Sequence, residues 1–201
     1  MLLSAARTWF GTNWPYAGSI AGLFLLAILP LLWHAWPLPL LLVYLQLPLY
    51  MAHQVEEHHH NRFRTFVNDH LAHGRNALTT PAVVFINVVG VWILDLVALY
   101  LACFVDPVYG LIPIYLTLIN GLVHIVVAMI QRAYNPGLIT AVLLFLPFGS
   151  IGWWSIVHAL HPSLRDHLQT AGFVLLVHAA IVLYLRYRIH QRDISRSVLN
   201  S

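Results

Sequence analysis

Six apolar runs, separated by short polar or proline-bearing breaks, set the pattern of the chain: roughly 17–35, 38–58, 81–104, 110–130, 136–160 and 170–188. Each is close to the ~20 residues that a helix needs to cross ~30 Å of hydrocarbon. Pro37 and Pro39 part the first two runs, and Asp106-Pro107 the third and fourth. Asn135-Pro136-Gly137 opens the fifth, with Asn135 suited to an N-cap and Pro136 to the first helical turn. The stretch 61–76 departs from the pattern. There Phe63, Phe66, Val67 and Leu71 approximate a narrow apolar stripe, Arg62, Arg64 and Asp69 lie off it, and Gly74 can end it. This predicts a short interfacial helix between spans two and three, with an irregular loop as the alternative. The expected fold is all-α: one polytopic membrane helix bundle over residues 1–201, with about six transmembrane helices.

Composition agrees. The chain is 60% hydrophobic and 8% charged, with a mean hydropathy of +0.75, which excludes an ordinary soluble domain. All ten basic residues are arginine, and they are spread along loops and the tail rather than gathered in a patch, so nucleic acid is not an expected partner. Cys103 stands alone in an apolar run, which removes disulfide and thiolate-metal chemistry. Arginine also sets the expected orientation. With a cytoplasmic N-terminus, Arg7, Arg62, Arg64, Arg75, Arg132, Arg186, Arg188, Arg192 and Arg196 are inside and only Arg165 is outside. Both termini are therefore expected in the cytoplasm, the membrane being the inner one if the source is a bacterium.

The polar residues inside the spans carry the chemistry. His53-Gln54-Val55-Glu56-Glu57-His58-His59-His60 closes a span otherwise free of charge. An ionised group near the bilayer centre costs roughly 2.5–3.5 kcal/mol, so such a run calls for a cation, a proton relay or a substrate. On a helix, His53, Glu56, Glu57 and His60 share one face at i, i+3, i+4 and i+7. Glu57-x-x-His60 also has the spacing used by di-metal bundles. Asn87 on span three, and Asn120 and His124 on one face of span four, are expected at the same depth. The plainer readings are a helix end emerging into water, a solvated histidine run at 58–60, and interhelical hydrogen bonds at Asn87, Asn120 and His124. Asp95 and His178 are isolated mid-span residues, and His178 reads as packing.

The chain resembles the HXXEE-domain membrane proteins. The resemblance rests on His53-x-x-Glu56-Glu57, Arg62-Phe63-Arg64-x-Phe66-x-Asn68 and Phe85-Ile86-Asn87-Val88-Val89. It continues through Asn120-x-x-x-His124 and Tyr134-Asn135-Pro136-Gly137-x-x-Thr140-Ala141. It implies a multi-pass fold and marks His53, Glu56, Glu57, Asn87, Asn120, His124 and Tyr134 as site residues, without supplying a reaction. This chain departs from the family pattern in following the motif with three histidines.

The leading expectation is a membrane-embedded, metal-dependent enzyme, a hydrolase or an oxidoreductase, acting on an amphiphilic or lipid-like substrate at a cytoplasm-facing site. His53, Glu56, Glu57, His60 and His124 are the expected ligands of a divalent metal, with zinc, iron or manganese suited to the oxygen and nitrogen donors. Glu56 and Glu57 are the expected catalytic pair, Glu56 as general base. Asn87, Asn120 and Tyr134 are expected to orient ligands or contact substrate. No His-Glu-x-x-His, Gly-x-Ser-x-Gly, P-loop or dinucleotide signature is present. A metal-ion or proton-coupled transporter, and a non-catalytic accessory protein, are the other readings.

Overall fold

The computed structural model describes the backbone of Leu2–Leu199 and the side chains of residues 9–191. The side chains of Arg7, Arg192 and Arg196, used above for orientation, lie outside the described residues. The helices are α1 (Leu2–Trp33), α2 (Leu38–His58), a short α3 (Arg62–Phe66), α4 (Thr80–Phe104), α5 (Leu111–Gln131), α6 (Leu138–Leu160) and α7 (Leu164–Leu199). Six segments are long and apolar enough to cross a membrane, and no strand occurs among the described residues.

Helix α2 is the axis of the bundle, packed by α1, α4, α5 and α6. Tyr50 of α2 donates to the Leu116 carbonyl of α5 at 2.9 Å and its ring lies 4.5 Å from that of Phe145 on α6. Small residues bring the helices close. A Cβ at Gly149 would come within 2.8 Å of Leu118, and one at Gly18 within 2.6 Å of the Trp92 ring. In hydrocarbon, where apolar side chains gain nothing by leaving lipid, such close packing is a main source of helix association. A buried hydrogen-bonded chain adds to it. Trp92 Nε1 donates to Gln54 Oε1 at 2.7 Å, Gln54 Nε2 to Asn87 Oδ1 at 2.9 Å, and Asn87 Nδ2 to the Val83 carbonyl at 2.9 Å. Bonds of this kind contribute ~0.6 kcal/mol each.

No proline or glycine ends α2. It stops where His59 leaves the helix (φ −50°, ψ 122°), and His60 and Asn61 then take left-handed angles, φ 52° and 60°, that turn the chain into α3. A π-helical turn, Val67–Leu71, extends α3. A short helix thus follows α2 where one is expected, with Phe66 and Val67 of its stripe buried with Trp14, Leu78 and Val83 while Leu71 is exposed. Asn68 holds the return loop in place, donating to the Leu78 carbonyl at 2.9 Å and accepting its N–H at 2.8 Å. Two further π turns, Val88–Ile93 in α4 and Ala141–Phe145 in α6, sit beside the site described next. The second directly precedes Pro147, whose missing N–H is accommodated by the shifted ladder.

Candidate metal centre

His53 and Glu57 lie one turn apart on the last two turns of α2, and His124 faces them from α5. His53 is fully buried, and Glu57 and His124 are nearly so. His53 Nε2 is 3.6 Å from Glu57 Oε2, and His124 Nε2 is 3.8 Å from Glu57 Oε1. One donor atom from each of the three residues lies within 4.8 Å of the others.

The hydrogen bonds behind the two imidazoles decide which nitrogen carries the proton. The Thr140 hydroxyl donates to Glu56 Oε2, and its single hydrogen is used there. His53 Nδ1, 2.7 Å from that hydroxyl oxygen, must therefore be the donor. At His124, the Asn135 amide nitrogen donates to the His124 carbonyl at 2.8 Å, which turns Asn135 Oδ1 toward the ring. His124 Nδ1 then donates to it at 2.6 Å. In the tautomer these bonds favour, Nε2 of each ring faces the Glu57 carboxylate. His53 Nε2 is buried with no hydrogen-bond partner. Two ring nitrogens and a carboxylate thus converge on one gap, with His58 Nε2 at its edge, 3.0 Å from Glu57 Oε2.

Glu56 is elsewhere. Expected as a ligand and general base, it is turned away from the gap and its acceptor positions are taken. Oε1 accepts from the Tyr134 hydroxyl at 2.8 Å and the Ile139 N–H at 3.1 Å, while Oε2 accepts from the Thr140 N–H at 2.7 Å and the Thr140 hydroxyl. Glu56 therefore caps the first turn of α6 from a different helix, where a carboxylate also suits the helix dipole. Through Thr140 it fixes the tautomer of His53. Tyr134 joins it: burial, and then the bond to Glu56, push this phenol above its ordinary value, so that it stays a donor.

The other expected residues separate cleanly. His60 is exposed, because the left-handed turn takes it out of the α2 register; it is not brought to the gap. His58, read as part of a solvated run, is instead buried between Trp14 and Phe63, with Nε2 3.0 Å from Glu57 Oε2. Asn87 is committed to the α2–α4 chain described above. Asn135, expected as an N-cap, serves His124, and Gly137 takes the cap position at φ 100°. A Cβ at Gly137 would come within 2.6 Å of His124 and 2.8 Å of His53, so bare backbone forms one wall. Thr140 and Gly137 were not singled out as functional from the sequence. The signal available was their place, with Asn135, inside a run that the family resemblance already marked.

Beside the cluster lies a cavity of about 280 Å³, walled by α2, α3, α4, α5 and α7. Glu57, His124, Asn135, Asn120 and His178 line it, and most of the remaining wall is apolar. His178, read as packing, lines this cavity, with its Nδ1 2.9 Å from the Val174 carbonyl one turn back on α7.

The chain is an all-helical protein whose helices are long enough to cross a membrane, with a buried cluster of two histidines and one glutamate between them. Residues 44–151 match the family described as proteins of unknown function with an HXXEE motif, and the chain belongs to that family. No curated protein and no solved structure matches it.

Proposed function

We propose that the protein is an integral membrane enzyme that uses a divalent metal held by His53, Glu57 and His124. The supporting observation is the buried convergence of His53, Glu57 and His124, with His53 Nε2 lacking any hydrogen-bond partner, an arrangement that a cation would relieve. The donors fit such an ion. Ligand atoms 2.0–2.2 Å from a tetrahedral ion stand about 3.4 Å apart; here the two rings approach opposite oxygens of Glu57 at 3.6 and 3.8 Å, and one donor atom from each residue lies within 4.8 Å of the others, so a small closing movement would complete the set. Two imidazoles and one carboxylate form the ligand set of both catalytic zinc and non-haem iron sites, with at least one position left open. When bound, the ion would supply Lewis acidity and a more acidic water.

The chain's own residues do the rest. Glu56, Thr140 and Asn135 hold the two rings, a supporting shell of the kind that tunes metal affinity. Glu57 and His124 border the cavity, while His53 is sealed behind them. A substrate that is part polar and part hydrocarbon fits a centre that borders a largely apolar cavity. We infer N-in, C-in topology from the arginine distribution, and reporters fused after Gln131 and after Pro162 should report inside and outside respectively. Elemental analysis of the detergent-purified protein tests the centre. At least a substantial fraction of one ion per chain is expected, lost in His53→Ala and His124→Ala; metal-free protein that is folded and active refutes it.

One observation favours transport as a second reading. Gln46, Tyr50, His53 and Glu57 follow one face of α2, and Gln46 Oε1, Thr117 Oγ1 and both Asp95 oxygens are buried without hydrogen-bond partners. Proton or metal flux in proteoliposomes that disappears with Asp95→Asn would select this reading over the enzyme.

A further inference from the structure

We propose that the cavity beside the cluster binds one hydrocarbon chain of a membrane amphiphile, which enters sideways from the bilayer with its polar end at Glu57 and His124. The proposal rests on the enzyme reading only for the purpose of binding; the slot stands on its own geometry. Its length follows from α5. Leu116 and Val127 both line it, and eleven residues of helix span about 16 Å. A volume of about 280 Å³ is at the small end of ligand pockets, which run roughly 300–1,000 Å³, and suits one slender chain rather than a bulky solute.

The slot is mostly apolar with a few polar groups. Glu57, His124 and Asn135 supply polar lining beside the cluster, with Asn87, Asn120 and His178 elsewhere on the wall. The apolar wall includes Phe66, Leu78, Val91, Leu116, Val177 and Tyr50, whose hydroxyl is already committed to the Leu116 carbonyl. An amphiphile with its polar end at Glu57 and His124 and its alkyl chain along the apolar wall matches that lining, whereas a uniformly polar solute does not. The mouth is lateral. Val123 and Val182 line the cavity and are also 43% and 51% exposed, on transmembrane-length helices whose outer faces lipid would cover. Gly90 also lines the cavity: a Cβ there meets nothing within 4 Å, so the backbone leaves room that part of the chain would fill.

Photolabelling tests this. Full-length protein in lipid nanodiscs is irradiated with a fatty acid or a phosphatidylcholine bearing a terminal diazirine, and labelled residues are mapped by mass spectrometry. Metal content is measured on the same samples. Labelling is expected near Gly90, Leu116 and Val177. In Gly90→Leu and, independently, in Val177→Phe, it should fall by about tenfold, the effect of ~1.4 kcal/mol of lost binding, with metal content unchanged. Interior labelling by one probe alone identifies a free acid or a two-chain lipid as the source. Labelling confined to outward-facing residues, and equal in wild type and both variants, overturns the proposal. Interior labelling that persists in a metal-free His53→Ala protein supports the slot while removing the enzyme reading, so the two fail separately.

Discussion

Glu57 and Asp95 are both carboxyls buried between apolar helices, and their surroundings are opposite. Around Glu57 stand His53, His58 and His124, with two of the rings backed by fixed acceptors. Asp95 has no hydrogen-bond partner on either oxygen. Burial alone therefore does not make a site. What distinguishes the two regions is a second layer, Glu56–Thr140 behind His53 and Asn135 behind His124, which spends protons outward and leaves lone pairs pointing inward.

The sharpest way to break this contrast is Glu57→Gln. It should lower metal affinity by on the order of 100-fold or more, beyond the 10–100-fold typical of supporting residues. The amide can donate where the carboxylate could not, so thermal stability should be kept. Retained metal would put the centre elsewhere. Next is Thr140→Val, which frees His53 Nδ1 and should weaken binding about 10–100-fold, read by competition with a chromogenic chelator. Asp95→Leu probes the other side of the comparison. Removing an unpartnered buried carboxyl should raise stability by about 1 kcal/mol without changing metal content, measured by thermal unfolding and elemental analysis. Should it lose metal as Glu57→Gln does, the two carboxyls are not different in kind. The smallest effect belongs to His60→Ala, expected within about 0.5 kcal/mol of wild type and neutral for metal.

The same contrast separates what the sequence reveals from what it hides. Apolar run length located the spans, because the bilayer fixes how much helix is needed. The four-residue step from His53 to Glu57, and the depth of His124, brought the cluster within reach. Spacing could not show that α2 stops at His58, since the left-handed pair His60-Asn61 carries neither proline nor glycine. It therefore placed His60 on the ligand face and passed over His58. Nor could it separate Glu56 from Glu57. Their neighbouring positions differ only in which helix stands opposite, and the partners of Glu56 are 78 to 84 residues away. Asn135 was legible as a helix-start residue but not as the acceptor for His124, a long-range bond that local propensity does not encode.

The wiring of His53 through Thr140 to Glu56 also dates the centre within the life of the chain. Polypeptides emerge N-terminus first, and membrane helices follow in order. His53 and Glu57 are made early, His124 much later, and the residues that orient the two rings, Asn135 and Thr140, later still. Until α6 begins to fold, a nascent chain holds all three donors without the hydrogen bonds that aim them. Ion capture at the proposed centre would thus be a late step of biogenesis, and a ribosome-stalled chain ending before Thr140 would have the proposed ligands without the bonds that aim them.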